Sequence, residues 1–291
     1  MEAASAELEG QLLNSIRQIG IPPRPQILER ISAEMQRDEP DLRALAKIIS
    51  ADVSISGSLL KIVNSPFYGM RQKVRTVQDA ISLLGLATTG ATIAGIVLRH
   101  VLPPMPKLER FWDASARIAQ ISGWLAQELG VQDGVRPEYA YTFSLFRDCG
   151  IPIMMRKFPD YFDTLALANA EAERSVTEIE DHRHPTNHAV IGSLLGQSWW
   201  LAEDTCQAIR HHHDFVTLRA GGGALPPRAR RLIALSHLAE MLVQHNTGLS
   251  KSCEWHKIGT ACMSLLELEE AGLAEIEKSA TSLFSQPGMF D

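Results

Sequence analysis

Apolar residues spaced three and four apart, in short runs closed by caps, glycines or prolines, constrain this chain more than any other feature. In "TVQDAISLLG", Val77, Ala80, Ile81 and Leu84 fall on one helical face. Thr76 and Asp79 have the spacing of a capping box, and Gly85 supplies a stop. "DLRALAKIIS" repeats the pattern with Leu42, Leu45, Ala46 and Ile49. "SISGSLLKIVNSPFYG" continues it with Ile55, Leu59, Ile62 and Val63 until Asn64, Ser65 and Pro66 turn the chain. "FWDASARIAQISGWLAQELG" carries Ile118, Ile121, Leu125 and Leu129 and stops at Gly130. Further helices are read from Pro137 to Phe146, Asn187 to Trp200, Glu203 to His213, Arg228 to Gln244 and Leu265 to Lys278. "AEAERSVTEIEDHRHP" and "RAGGGALPPR" read as connections. No strand alternation exceeds a few residues, so the expectation is an all-α fold in two lobes, 1–105 and 106–291. Pro103, Pro104 and Pro106 stiffen the boundary between them.

With 291 residues and 45% hydrophobic content, the chain can bury one large or two smaller cores. A net charge of -6 argues against a broad nucleic-acid-binding face, which needs a basic excess. Cys149, Cys206, Cys253 and Cys262 form no C-x-x-C pair and read as reduced thiols of a cytoplasmic protein. The start "MEAASAELEGQLLNSI" lacks a cationic segment followed by an apolar run, so no secretory signal is expected. "ATIAGIVLRHVLPP", interrupted by Arg99 and His100, is too short to cross a bilayer.

Chemistry is concentrated in "IRHHHDF". Successive helical residues are turned about 100° from one another, so at most two of His211, His212 and His213 can face one ion, and His211 is assigned to the solvated side. A hydrolytic metal centre would need further donors: Asp148 in "SLFRDCG", His188 in "NHAVIG" and Glu240 in "SHLAEML". His184 and His188 have helical i, i+4 spacing, but Pro185 lies between them and starts the helix after His184. Trp199 and Trp200 read as one core and one rim residue. The run Gly221 to Gly223 lacks the lysine and strand of a phosphate loop.

From about Ile19 to about Met241 the chain resembles the HDOD family, a signalling relative of the HD metal-dependent phosphohydrolases. "IPPRPQILERI", "ISADVSISGSLLKIVNSPFYG", "TVQDAISLLG", "FWDASARIA", "SLFRDCG", "NHAVIGSLLGQSWWL" and "AIRHHHD" carry the resemblance in that order. It implies that the second lobe is a degenerate HD-type domain with a C-terminal helical extension. The HD pattern begins with a histidine, and Ala114 stands at that position here. Its His-Asp pair falls on Arg147 and Asp148, its later histidine on His188, its paired histidines on His212 and His213, and its last carboxylate on Glu240. A guanidinium has a fixed charge and no lone pair, so Arg147 is expected to form a salt bridge with Asp148 or Glu240 in place of a dinuclear centre.

The resemblance thus implies a regulatory protein that binds other signalling proteins, without catalysis and without a cofactor. Asp148, His188, His212, His213 and Glu240 remain as vestigial candidates for a residual divalent ion. The alternative is a phosphohydrolase acting on a nucleotide or cyclic dinucleotide, with His182, His184 or His237 replacing missing ligands. A third reading is a receptor for a small nucleotide effector using Arg147 with Arg228, Arg230 and Arg231. The segment after Gln244 lies beyond the resemblance and is read as a cap on the second lobe or an oligomer contact.

Overall fold

A computed structural model describes residues 20–64, 72–102, 108–130, 134–218, 225–249 and 251–286, and these form helices and connections without strands. The proposed boundary at Pro103, Pro104 and Pro106 lies outside the described residues, as do Ser65, Pro66 and Gly221 to Gly223.

The first four helices are α1 (Gln26–Met35), α2 (Leu42–Ser50), α3 (Val53–Val63) and α4 (Val77–Val101). Asp41 starts α2 by accepting from Arg43 N, and Asp52 starts α3 by accepting from Ser54 N and Ile55 N. Each carboxylate satisfies amides that have no partner within their own helix. Thr76 caps α4 through Asp79 N at 3.1 Å. Gly85, at φ 76° and ψ 170°, breaks α4 where the sequence predicts a stop, but the helix resumes at once. Val77–Val101 is long and apolar enough to cross a membrane by length and composition, yet more than half of its apolar window is buried against the protein. Neither piece on either side of Gly85 reaches the ~20 residues a bilayer requires.

The remainder forms α5 (Glu109–Glu128), α6 (Pro137–Phe146), α7 (Ile151–Lys157), α8 (Tyr161–Ala170), α9 (Val176–Arg183), α10 (His188–Ser198), α11 (Glu203–His211), α12 (Phe215–Leu218), α13 (Pro227–Thr247), α14 (Glu254–Leu265) and α15 (Glu270–Phe284). Helices α5, α6 and α13 pack on one another, and the second half of α4 packs on α6. One apolar core therefore runs from Leu45 of α2 and Ile93 of α4 to Phe146 of α6, Leu235 of α13 and Ile258 of α14.

Three sequence expectations need correction. "AEAERSVTEIEDHRHP" is not merely a connection, because Ser175 and Glu178 form a full capping box that starts α9. Helices α7 and α8 were not anticipated, since their runs are short. The helix expected from Leu265 to Lys278 is interrupted at Leu266–Glu269, where Glu267 takes φ 54°; α14 ends before it and α15 starts after it.

Candidate functional site

Four stretches of chain meet at one centre. After α6 the backbone turns through Arg147 and Asp148, and Ile151 N donates to Asp148 O at 2.9 Å as α7 begins. Asn187 starts α10 by accepting from Val190 N at 2.9 Å, which puts His188 at the first helical position. Helix α11 ends at His211, earlier than its sequence pattern suggests, and Asp214 N closes the turn on His211 O at 2.9 Å. His212 keeps right-handed helical angles just past the helix end, and His212 and His213 take the two places that the 100° offset allows. Their rings lie 4.0 Å apart and both are buried, while His211 stays half exposed beside Asp214. Helix α13 brings Ser236, His237 and Glu240.

Donor atoms of Asp148, His188, His212 and His213 all lie within 4.8 Å of one another. His188 Nε2 is 3.3 Å from His212 Nε2, and Asp148 Oδ1 is 3.2 Å from the same nitrogen. The opposite nitrogen of each ring is tied to an acceptor. His188 Nδ1 donates to Glu180 at 2.7 Å, His212 Nδ1 to Ile209 O at 2.8 Å, and His213 Nδ1 to Glu254 at 2.6 Å. Such ties fix the ring orientation and leave the other nitrogen free to face the centre. Tyr161 donates its hydroxyl to Glu180, Lys257 donates to Glu254 at 2.7 Å, and His237 Nε2 donates to His212 O at 2.8 Å.

The buried Arg147 closes one side. Its Nε donates to Asp148 Oδ2 at 2.9 Å, Nη2 to Glu240 Oε2 at 2.8 Å, and Nη1 to Ser236 Oγ at 3.2 Å. Burial opposes the charge of Asp148, but the Arg147 guanidinium and hydrogen bonds from His188 and His212 hold its carboxyl well below the usual range. Burial likewise opposes Glu240, and Arg147 brings it down to about 2. Burial disfavours protonated His188, yet Glu180 and Asp148 outweigh that and lift it to about 10. Burial and the neighbouring His213 depress His212 to about 3. A proton at the centre therefore favours His188 over His212, and a bound ion would displace it from Nε2.

Three imidazole nitrogens and one carboxylate oxygen fit a single divalent ion of the zinc type. They do not fit a pair of ions, because Arg147 takes up Glu240 and the second oxygen of Asp148 and offers no lone pair. Ala114 lines a cavity of about 590 Å³ that also touches Asp148, His188 and His213. Exposed Arg110 and Lys251 line the same cavity.

Of the histidines offered as replacement ligands, His237 lies at the centre, whereas His182 and His184 lie apart. His184 is bound to Thr164 Oγ1 at 2.9 Å, and His182 is exposed. Arg231 pairs with Glu267, whereas Arg228 lines a different cavity from Arg147. Sequence reasoning missed Glu180, Glu254 and Lys257. Glu180 was hidden in the stretch read as a connection, and Glu254 lies in the segment beyond the resemblance.

Fold and site together define an all-α protein built around a histidine–carboxylate centre, with one side closed by an arginine. The HDOD domain model matches residues 21–215, and the chain belongs to the HDOD domain family. An uncharacterised protein of Treponema pallidum is 25% identical over 197 residues, a stretch covering 67% of this chain but only 38% of that protein. A Shewanella amazonensis SB2B structure provisionally described as a phosphohydrolase is 19% identical with a TM-score of 0.68, covering 96% of this chain and 95% of its own. A Marinobacter aquaeolei VT8 structure provisionally described as a signal-transduction protein is 20% identical with a TM-score of 0.67, covering 92% of this chain and 58% of its own. At these identities the two structures establish the shared fold.

Proposed function

We propose that this protein is a regulatory module that acts by binding other signalling proteins, and that it does not hydrolyse phosphoesters. The carrying observation is Arg147, which is buried between Asp148 and Glu240 and neutralises the carboxylates a two-ion centre would use. In this reading the lobes over 1–105 and 106–291 shift their packing when a partner or small effector binds, and the protein works in the cytoplasm. The Marinobacter relative's description as a signal-transduction protein supports the same direction. The test is turnover of bis(p-nitrophenyl) phosphate and cyclic dinucleotides with manganese, iron, zinc or nickel supplied. No turnover above the metal-only control is expected, and metal-dependent turnover abolished by Asp148→Asn would overturn the reading.

One observation favours a second reading, in which the centre holds a single ion. The outward nitrogens of His188, His212 and His213 are tied to Glu180, Ile209 O and Glu254, an arrangement that suits metal-binding imidazoles. Asp148, His188, His212 and His213 would hold such an ion. When bound, it would supply fixed positive charge, and with four protein ligands it would resemble a closed structural site with no open position for water. Zinc uptake by the wild type that is lost in His212→Ala supports this reading, and equal uptake by both proteins refutes it.

A further inference from the structure

A second cavity, of about 410 Å³, lies where α1 and α4 of the first lobe meet α6, α11 and the α10–α11 turn of the second. Its size is within the usual range for small-molecule sites. Small residues of α4, Ala87, Gly90, Ala91 and Ala94, share one helical face and line it. Among its lining residues there is no carboxylate, and its only charges are Arg24 and Arg228.

Both guanidinium groups lie flat on aromatic rings. Arg24 Cζ sits 3.5 Å from the centre of the Trp200 ring, and Arg228 Cζ sits 4.1 Å from that of Tyr139. Arg24 Nη2 donates to Leu28 O at 2.9 Å, and Arg228 Nη1 lies 3.5 Å from Asp204. Arg24 Nε, Arg24 Nη1 and Arg228 Nε are shielded from solvent and have no acceptor among the described residues. Donors of this kind, without an acceptor and away from water, are costly unless something meets them.

Trp200 adds an independent observation. Leu201 N donates to Gly196 O at 2.9 Å, the closing bond of a helix end whose following residue adopts the left-handed conformation and is usually glycine. Here that residue is Trp200, at φ 61°, and its side chain is largely exposed. A bulky side chain in this conformation is strained, and Trp200 buries too little surface to offset the cost through packing. What the position achieves is an indole laid over Arg24 at the cavity wall.

We propose that this interlobe cavity binds a small organic phosphate with a flat apolar body, a nucleoside monophosphate in kind. Planar guanidinium forks suit phosphate oxygens, and the small-residue floor suits a base. Because both lobes line the cavity, an occupant contacts the two packing partners at once and favours the arrangement that closes on it. This goes beyond the regulatory reading and does not depend on it, since none of the lining residues belongs to the Asp148 centre.

The test is calorimetric titration of the full chain with adenosine 5′-monophosphate, with quenching of tryptophan fluorescence as a second readout. Saturable binding to one site per chain is expected, with adenosine and inorganic phosphate each at least about tenfold weaker. Arg24→Gln and Arg228→Gln are each expected to weaken binding at least about tenfold. Ala91→Leu, which fills the floor without altering either arginine, is expected to abolish it. Arg231→Gln serves as the control and should bind normally. The proposal is overturned if none of the four common nucleoside monophosphates binds saturably at millimolar concentration. It is equally overturned if binding survives Ala91→Leu, or survives both arginine variants in chains whose circular dichroism and melting match the wild type.

Discussion

Arg147 decides what the centre can do, and its effect follows from charge and geometry. It is enclosed with two carboxylates and a serine hydroxyl, so its removal strands Asp148 and Glu240 in low dielectric. Arg147→Ala is therefore expected to cost about 3–5 kcal/mol in urea denaturation, the usual result of breaking a buried pair from one side. The same pair sets an acid limit. Glu240 falls from an ordinary value of 4.5 to about 2, so its contribution to stability is full above about pH 4.5 and is lost as pH falls through about 2. Glu240→Gln should flatten the pH dependence of stability across that window, measured by denaturant midpoints at each pH. The Arg147 salt bridge was legible in the sequence, because "FRDC" sets a fixed cation beside a carboxylate. The carboxylates behind the imidazoles were not, since nothing in the chain spacing of Glu180 or Glu254 points to His188 or His213.

At the scale of elements, helix ends place the chemistry. The periodic interiors of α2, α3, α5 and α13 could be read from apolar spacing, and so could a helix beginning at Asn187, which the structure shows as the cap before His188. The end of α11 was harder. The apolar pattern gives no sign that the helix ends at His211, short of the expected end at His213. Gly150 fixes the other side. A Cβ built there would lie 2.0 Å from His188 O, a backbone atom that cannot swing away. Gly150→Ala should force α7 and α10 apart and lower the thermal midpoint by several degrees. Gly85→Ala meets no neighbouring atom, and its cost should be confined to a positive-φ, extended backbone conformation essentially reserved for glycine, about 1–3 kcal/mol. Comparing the two melting curves, with metal uptake read alongside, checks the assignment, since only Gly150→Ala should also disturb the centre.

On the scale of the whole molecule, the family match ends at residue 215, but the centre does not. Helix α14 supplies Glu254 to His213, and α14 and α15 bury Ile258, Cys262, Ile276 and Ala280. A chain ending at Leu249 should lose several kcal/mol, at ~1.5–3 for each large apolar side chain left uncovered, and should bind hydrophobic dyes more strongly in a fluorescence assay. The extension packs on the helices that carry the centre, and an oligomer contact through its outer face is left open. The central claim, that Arg147 takes the place of a second ion, is tested most directly by the metal content of the untagged protein. It would be exposed in turn to manganese, iron, zinc and nickel, desalted, and measured by mass spectrometry beside Arg147→His. The account predicts no more than one ion per wild-type chain and a higher content in the variant; two tightly held ions per wild-type chain would contradict it.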